Sequence, residues 1–322
     1  MHLERVHSLA LTPTAPFNFD ATLFKPDHFP SGDNHWEPGI RWQTCCWEGR
    51  QLGLKIINTG DLESPAVQVY VYCTTPLNDE NLAGLREELN YRYNLDLDLT
   101  GFYSETEQDP LLRPVVERLW GMRPGHAGSL YEYLMIGIVL QNTTINRSIQ
   151  MLQTLFEHHG RLLSFDDKEL WCFWQPGGLQ AVSQNDLRAL KFGYRAKSLK
   201  RIDNTFAARE IDELILRHAS LETQRSALLK LFGVGPATVW YLLFDVFHRY
   251  DFFDHISPWE QKIYSRLFFD RDPEDPAPVD DLLNFFDIYG KYRQLAVHYF
   301  WQDLWWRHRE HPMPWLAKLI RR

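Results

Sequence analysis

The spacing of apolar residues along this chain changes character once. Over residues 17–73 apolar positions alternate with polar ones or run in short blocks, at 17–24, 40–44, 52–57 and 67–72, with clusters of Gly, Pro, Asn and Asp between them. A two-residue period bounded by turn formers predicts strands joined as an antiparallel sheet. The stretch 25–38, rich in Pro, Gly and Asp, reads as an exposed loop. From residue 81 the period becomes helical: Leu82, Leu85, Leu89 and Tyr93 share one face of a helix over 80–93, and everything beyond reads as helix and loop. The predicted fold class is α+β, with a small N-terminal antiparallel sheet domain and flanking helix over 1–100, and an all-helical core over 101–322.

Within that core, residues 130–140 are apolar almost all round, as suits a helix at the centre of a bundle, while Ile145, Ile149, Leu152 and Leu155 mark a one-sided helix after it. Between them stands the polar corner Gln141-Asn142-Thr143-Thr144, whose plainest reading is a threonine N-cap. Over 187–201, Gly193 ends a helix, Tyr194 and Arg195 fall on an exposed turn, and Lys197, Lys200 and Arg201 follow. A ring beside cations suits insertion between bases while the cations hold phosphates, although charge runs are more often solvated faces. At 222–248 two helices flank Gly233-Val234-Gly235-Pro236. Two glycines leave the turn's amides open to an anion at the positive end of the second helix; a glycine-capped corner is the plainer alternative. The closing aromatic run over 289–306 is mostly packing, with one or two rings left to line a pocket.

Composition narrows the function. A chain of 322 residues with 44% hydrophobic and 14% aromatic content can bury a sizeable core. A net charge of −8 argues against coating nucleic acid through a broad basic surface and leaves room for the local basic face at 191–201. No apolar run reaches the roughly 18 residues of a membrane span and the first residues open no signal peptide, so a cytoplasmic, nucleoid-associated location is expected. Cys45, Cys46, Cys73 and Cys172 show no paired metal spacing, and no metal or other cofactor is expected.

The order of these elements resembles the helix-hairpin-helix DNA glycosylase superfamily over most of the chain, nearest its 8-oxoguanine and alkyladenine branches. The resemblance rests on Phe17, Asp20, Thr22, Leu23 and Phe24 with Arg41-Trp42, on the Gln141-Asn142 corner, on Gly193-Tyr194-Arg195-Ala196, and on the hairpin Gly233-Val234-Gly235. It implies that the hairpin anchors duplex phosphate, that Gln141 and Asn142 fill the space left by a flipped base with Arg147 on a phosphate, and that Tyr194 wedges the duplex beside Arg195 and Lys197. Ser198 replaces the second aromatic of the wedge motif. The implied partner is double-stranded DNA containing a modified base, bound by a monomer. Some members carry an iron–sulfur cluster near the C-terminus, for which these cysteines offer no ligands.

Members of the superfamily use an aspartate at the start of the helix after the hairpin to stabilise the cationic sugar as the base leaves, and to align the attacking water. The matching residue here is Ser257, which opens Ser257-Pro258-Trp259-Glu260, a helix-capping box in its own right. Asp254, three residues upstream, is the first candidate to supply the carboxylate, then Glu260, with His255 as a possible assistant. The lysine of the lyase-competent members belongs at Ala237. The reading is a monofunctional DNA glycosylase that excises a damaged or modified base. Ser257 fits an alternative, a non-catalytic reader of modified DNA, and the acidic charge fits another, a hydrolase of free modified nucleosides.

Overall fold

The structure, a computed structural model, describes residues 1–26 and 30–320. Its N-terminal part holds β1 (Glu4–Leu11), α1 (Phe19–Leu23), β2 (Asn34–Glu37), β3 (Ile40–Trp47), β4 (Arg50–Asn58), β5 (Val67–Cys73) and α2 (Asp79–Arg92). The strands form one antiparallel sheet in the order β1-β5-β4-β3-β2. Alternation sets the register, with Leu54 opposite Val71 and Ile56 opposite Val69. Those four side chains are buried on one face against Leu85 and Leu89 of α2, whose start is capped by Asn78.

Two expectations for this part fail. Residues 17–24 contain no strand: the Asn18 side chain accepts the Ala21 amide and caps the short helix α1, so a local side-chain bond overrides the alternating pattern. The first strand is instead β1, too exposed along most of its length to show as an apolar run. The predicted loop 25–38 contains β2, paired with β3, while residues 27–29 of that loop lie outside the described residues.

The rest is mostly helical: α3 (Thr100–Thr106), α4 (Arg113–Arg118), α5 (Leu130–Leu140), α6 (Ile145–His159), α7 (Gln184–Ala189), α8 (Arg195–Ala207), α9 (Glu213–Arg217), α10 (Leu221–Leu229), α11 (Pro236–Asp245), α12 (Pro258–Phe269), α13 (Val279–Phe286), α14 (Arg293–Glu310) and α15 (Pro314–Ile320). It is not helix and loop alone. A hairpin of β6 (Arg161–Phe165) and β7 (Lys168–Cys172) turns at Asp166-Asp167, both with positive φ, the geometry of a two-residue hairpin turn. Asp166 fastens this hairpin to the outer face of the sheet by accepting from Trp42 Nε1 (2.6 Å), the Tyr72 hydroxyl (2.9 Å) and Lys55 Nζ (2.7 Å).

Two buried clusters divide the helices. One gathers α5, α6, α8 and α11 around Leu134, Ile138, Leu199 and Leu243; the other gathers α12, α13 and α14 around Tyr264, Phe286 and Tyr299. Helix α11 contributes to both, Leu243 to the first and Trp240 to the second, and the space beside it becomes the principal cleft. No helix among the described residues is long and apolar enough to cross a membrane.

Candidate active site and DNA-facing surface

The hairpin between α10 and α11 is built by its glycines, each for a different reason. Gly233 has φ +84°, and a Cβ there would collide with the Ser198 side chain. The residue that departs from the wedge motif is thus the one against which the hairpin packs. Gly235 has φ −106° as the N-cap of α11, and a Cβ there would meet nothing within 4 Å, so its lack of a side chain leaves open space at a helix N-terminus. Val234 is placed otherwise: its side chain is buried in the helical core and its amide donates to the Leu231 carbonyl (3.1 Å). It shapes the turn and does not offer that amide outward.

The polar corner, the wedge turn and the hairpin come together. Gln141 Nε2 donates to the Gly233 carbonyl (2.7 Å), and Asn142, in the left-handed region at φ +46°, directs Nδ2 to the Tyr194 hydroxyl (3.3 Å). Tyr194 remains 53% exposed beside them. Arg195 does not stand on the open turn as expected: it is 9% exposed and its Nη2 donates to the carbonyls of Gln141 and Asn142. A guanidinium with five donors in a fixed fork is suited to fixing such a corner. Arg147, half-buried, likewise reaches the Lys191 carbonyl (3.0 Å). Lys197 is exposed, and its ammonium lies 4.8 Å from the ring of Phe232, over which Arg201 also sits at 4.3 Å. Phe232, an exposed ring flanked by two cations on the hairpin, carries no signal in the sequence pattern although it directly precedes Gly233.

Beside this surface lies a cavity of about 780 Å³, within the range of ligand sites. Gln141 and Asn142 stand at one wall; Trp240 and Tyr241 of α11, Trp259 of α12 and Trp301 of α14 supply aromatic faces. Trp301 is the ring of the closing run that lines it. The cavity also holds buried Gln294, whose Oε1 has no hydrogen-bond partner, and His298, which burial keeps neutral by pushing its pKa well below the usual value. These come from separate elements, and spacing along the chain carries no sign of their convergence. Ala237, at the place of the lyase lysine, lines the cavity as well, and so does Lys25, paired with Asp245 (3.4 Å).

Of the three carboxylate and hydroxyl candidates, Ser257 and Glu260 line the cavity and Asp254 does not; it is exposed on the preceding loop. Ser257 caps α12, its Oγ accepting the Glu260 amide (3.3 Å) while its own amide donates to Glu260 Oε2 (2.9 Å). The Tyr241 hydroxyl donates to the same oxygen (3.0 Å). Glu260 is 6% exposed, and burial raises its pKa above the ordinary glutamate range, against the lowering effect of the bonds from Ser257 and Tyr241 and of nearby His255. A capping box therefore brings a buried carboxylate to the position where the cavity meets the start of α12. His255 lines the cavity within reach of the same charge.

No family model matches the chain. In sequence it is 25% identical over 152 residues, 47% of the chain and 50% of the relative, to a DNA-3-methyladenine glycosylase of Bacillus subtilis. It is 24% identical over 215 residues, 61% of the chain and 68% of the relative, to a probable N-glycosylase/DNA lyase of Methanothermobacter thermautotrophicus. The match thus spans about half the length of the first of these relatives. Among solved structures, an 8-oxoguanine glycosylase/lyase of Clostridium acetobutylicum, in complex with double-stranded DNA containing cytosine opposite 8-oxoguanine, superimposes with a TM-score of 0.66 at 19% identity, covering 97% of this chain and 98% of that one. The fold, sheet and helical core together, is that of the helix-hairpin-helix DNA glycosylases.

Proposed function

We propose that this protein is a DNA glycosylase that hydrolyses the bond between a modified base and its sugar, without strand cleavage of its own. The observation that carries the reading is the aromatic cavity that opens beside the hydrogen-bonded corner, wedge and hairpin and has a buried carboxylate in its wall. Hairpin amides near Gly235 take a phosphate, Tyr194 enters the stack, and Gln141 and Asn142 occupy the space the flipped base leaves. The base enters between Trp240, Tyr241, Trp259 and Trp301, where stacking is tolerant of ring identity.

Glu260, in its ionised form, supplies the negative charge that stabilises the oxocarbenium-like sugar as the C–N bond breaks, and draws the proton from the attacking water. Ser257 and Tyr241 hold that carboxylate in place and favour its charged form against the cost of burial. With Ala237 where the lyase members carry lysine, the expected product is an intact strand with an abasic site. The relatives support the reading by what they are named for: one a 3-methyladenine glycosylase, another a probable glycosylase/lyase.

A second reading keeps the scaffold and removes the chemistry. Glu260 is committed to three hydrogen bonds in the capping box, which suits a protein that reads modified DNA without cutting the glycosidic bond. Incubation of the protein with a set of duplexes, each carrying one oxidised, deaminated or alkylated base, separates the two. The glycosylase reading predicts free base by mass spectrometry and strand breaks only after alkali. Tight, selective binding with no free base from any duplex favours the reader.

A further inference from the structure

We propose that the base cavity continues into a second, polar cavity which receives a substituent of the flipped base, so that the preferred substrate is a base carrying an uncharged, hydroxylated substituent. This rests on the first cavity being the base pocket. The second cavity, about 310 Å³, lies between the N-terminal sheet and α5 and shares Lys25, Tyr133 and Ile136 with the first.

Its walls present two buried polar atoms with no partner. Gln43, 1% exposed, accepts from Arg41 Nε (2.8 Å) and from the Tyr93 hydroxyl on Oε1, which leaves its Nε2 donors unused. His126 is equally enclosed, and burial together with the charges of its surroundings keeps it neutral. Its Nδ1 lies 2.6 Å from the Gly128 carbonyl and so carries the proton; Nε2 is left as an acceptor without a donor. Orphaned buried polar atoms are costly and uncommon, and a native cavity that keeps two of them is built for something that pairs with both. A hydroxyl both accepts and donates.

Charge points the same way. Arg41 and Lys25 in the wall oppose a cationic group, and Asp33 and Glu132 oppose an anionic one. An uncharged polyol such as a sugar meets neither penalty, and the space far exceeds what a single water needs.

The test uses duplexes carrying one glucosylated 5-hydroxymethylcytosine, one 8-oxoguanine as a bare-ring control, or cytosine alone. Fluorescence anisotropy gives affinity and mass spectrometry gives free base. The glucosylated duplex should bind at least about tenfold more tightly than the plain one, and Gln43→Leu and His126→Phe should each remove about tenfold of that preference without changing affinity for the plain duplex. Thermal melts establish that the variants fold; should Gln43→Leu not, His126→Phe carries the test. If the wild type shows no such preference, or keeps it in the folded variants, the second cavity holds water only and the proposal is overturned, while release of 8-oxoguanine would leave the glycosylase reading standing. No release and no preferential binding with any modified duplex overturns both.

Discussion

Glu260 carries two tasks that pull its chemistry in opposite directions. As the third residue of α12 it closes a capping box, and as the carboxylate of the cavity it must hold a charge that burial disfavours. Because burial raises its pKa, the protonated form persists to higher pH than for an ordinary glutamate, and base release should climb as pH rises through that raised value. The Tyr241 bond lowers the pKa, so Tyr241→Phe should move the rising limb further toward alkaline pH. A limb unmoved in the single-turnover profile would mean that another group titrates. Much of this residue-level account is legible in the sequence: Ser257 and Glu260 spell their capping box outright. The sequence favours Asp254 over Glu260 because chain order cannot tell which of two nearby carboxylates a helix start turns inward. The first turn of α12 buries Glu260, whereas the loop before it leaves Asp254 in solvent.

The elements assigned to the DNA-facing surface are each visible as motifs, but their mutual bonding is not. Gly233 and Gly235 look interchangeable as residues without a Cβ. In the fold, Gly233 meets Ser198 from an adjoining helix and has a positive φ, while Gly235 faces open space. Gly233→Ala should therefore lower the melting temperature, whereas Gly235→Val should melt like the wild type and bind plain and modified duplexes more weakly by the same factor, since phosphate contacts carry no base information. Selective weakening for one duplex would place that glycine nearer the base. Lys197→Glu should lower affinity and flatten its salt dependence by about one in slope for each phosphate no longer neutralised. The hairpin of β6 and β7 stays hidden because Asp-Asp is a weaker turn signal than Asn-Gly, although both residues adopt the positive φ that such a turn requires. The helix-like apolar run over 130–140, by contrast, announces a central helix that the structure confirms as α5, buried at Leu134 and Ile138.

At the scale of the whole molecule, the sheet and helical core are joined by Asp166, and Asp166→Ala should cost about 1–3 kcal/mol in chemical denaturation, the penalty for stranding buried partners, with no change in the base preferred. The cleft beside α11 belongs to both buried clusters, which explains why its lining is scattered from Lys25 to Trp301 and why no single stretch of sequence announces it. That scatter also brings Lys25 into the cavity. Borohydride treatment during turnover should trap no covalent DNA complex; a trapped complex that disappears in Lys25→Ala would assign strand cleavage to that lysine. The central claim is that a buried carboxylate in this cavity breaks the glycosidic bond. Its most direct test is the single-turnover rate of base release, on a duplex the wild type processes, for Glu260→Gln and Asp254→Asn with duplex affinity measured in parallel. The account predicts that Glu260→Gln binds as the wild type does and releases base at least about a hundredfold more slowly, as for removal of a transition-state interaction, while Asp254→Asn keeps its rate. Full activity in a folded Glu260→Gln, with the defect falling on Asp254→Asn instead, would contradict it.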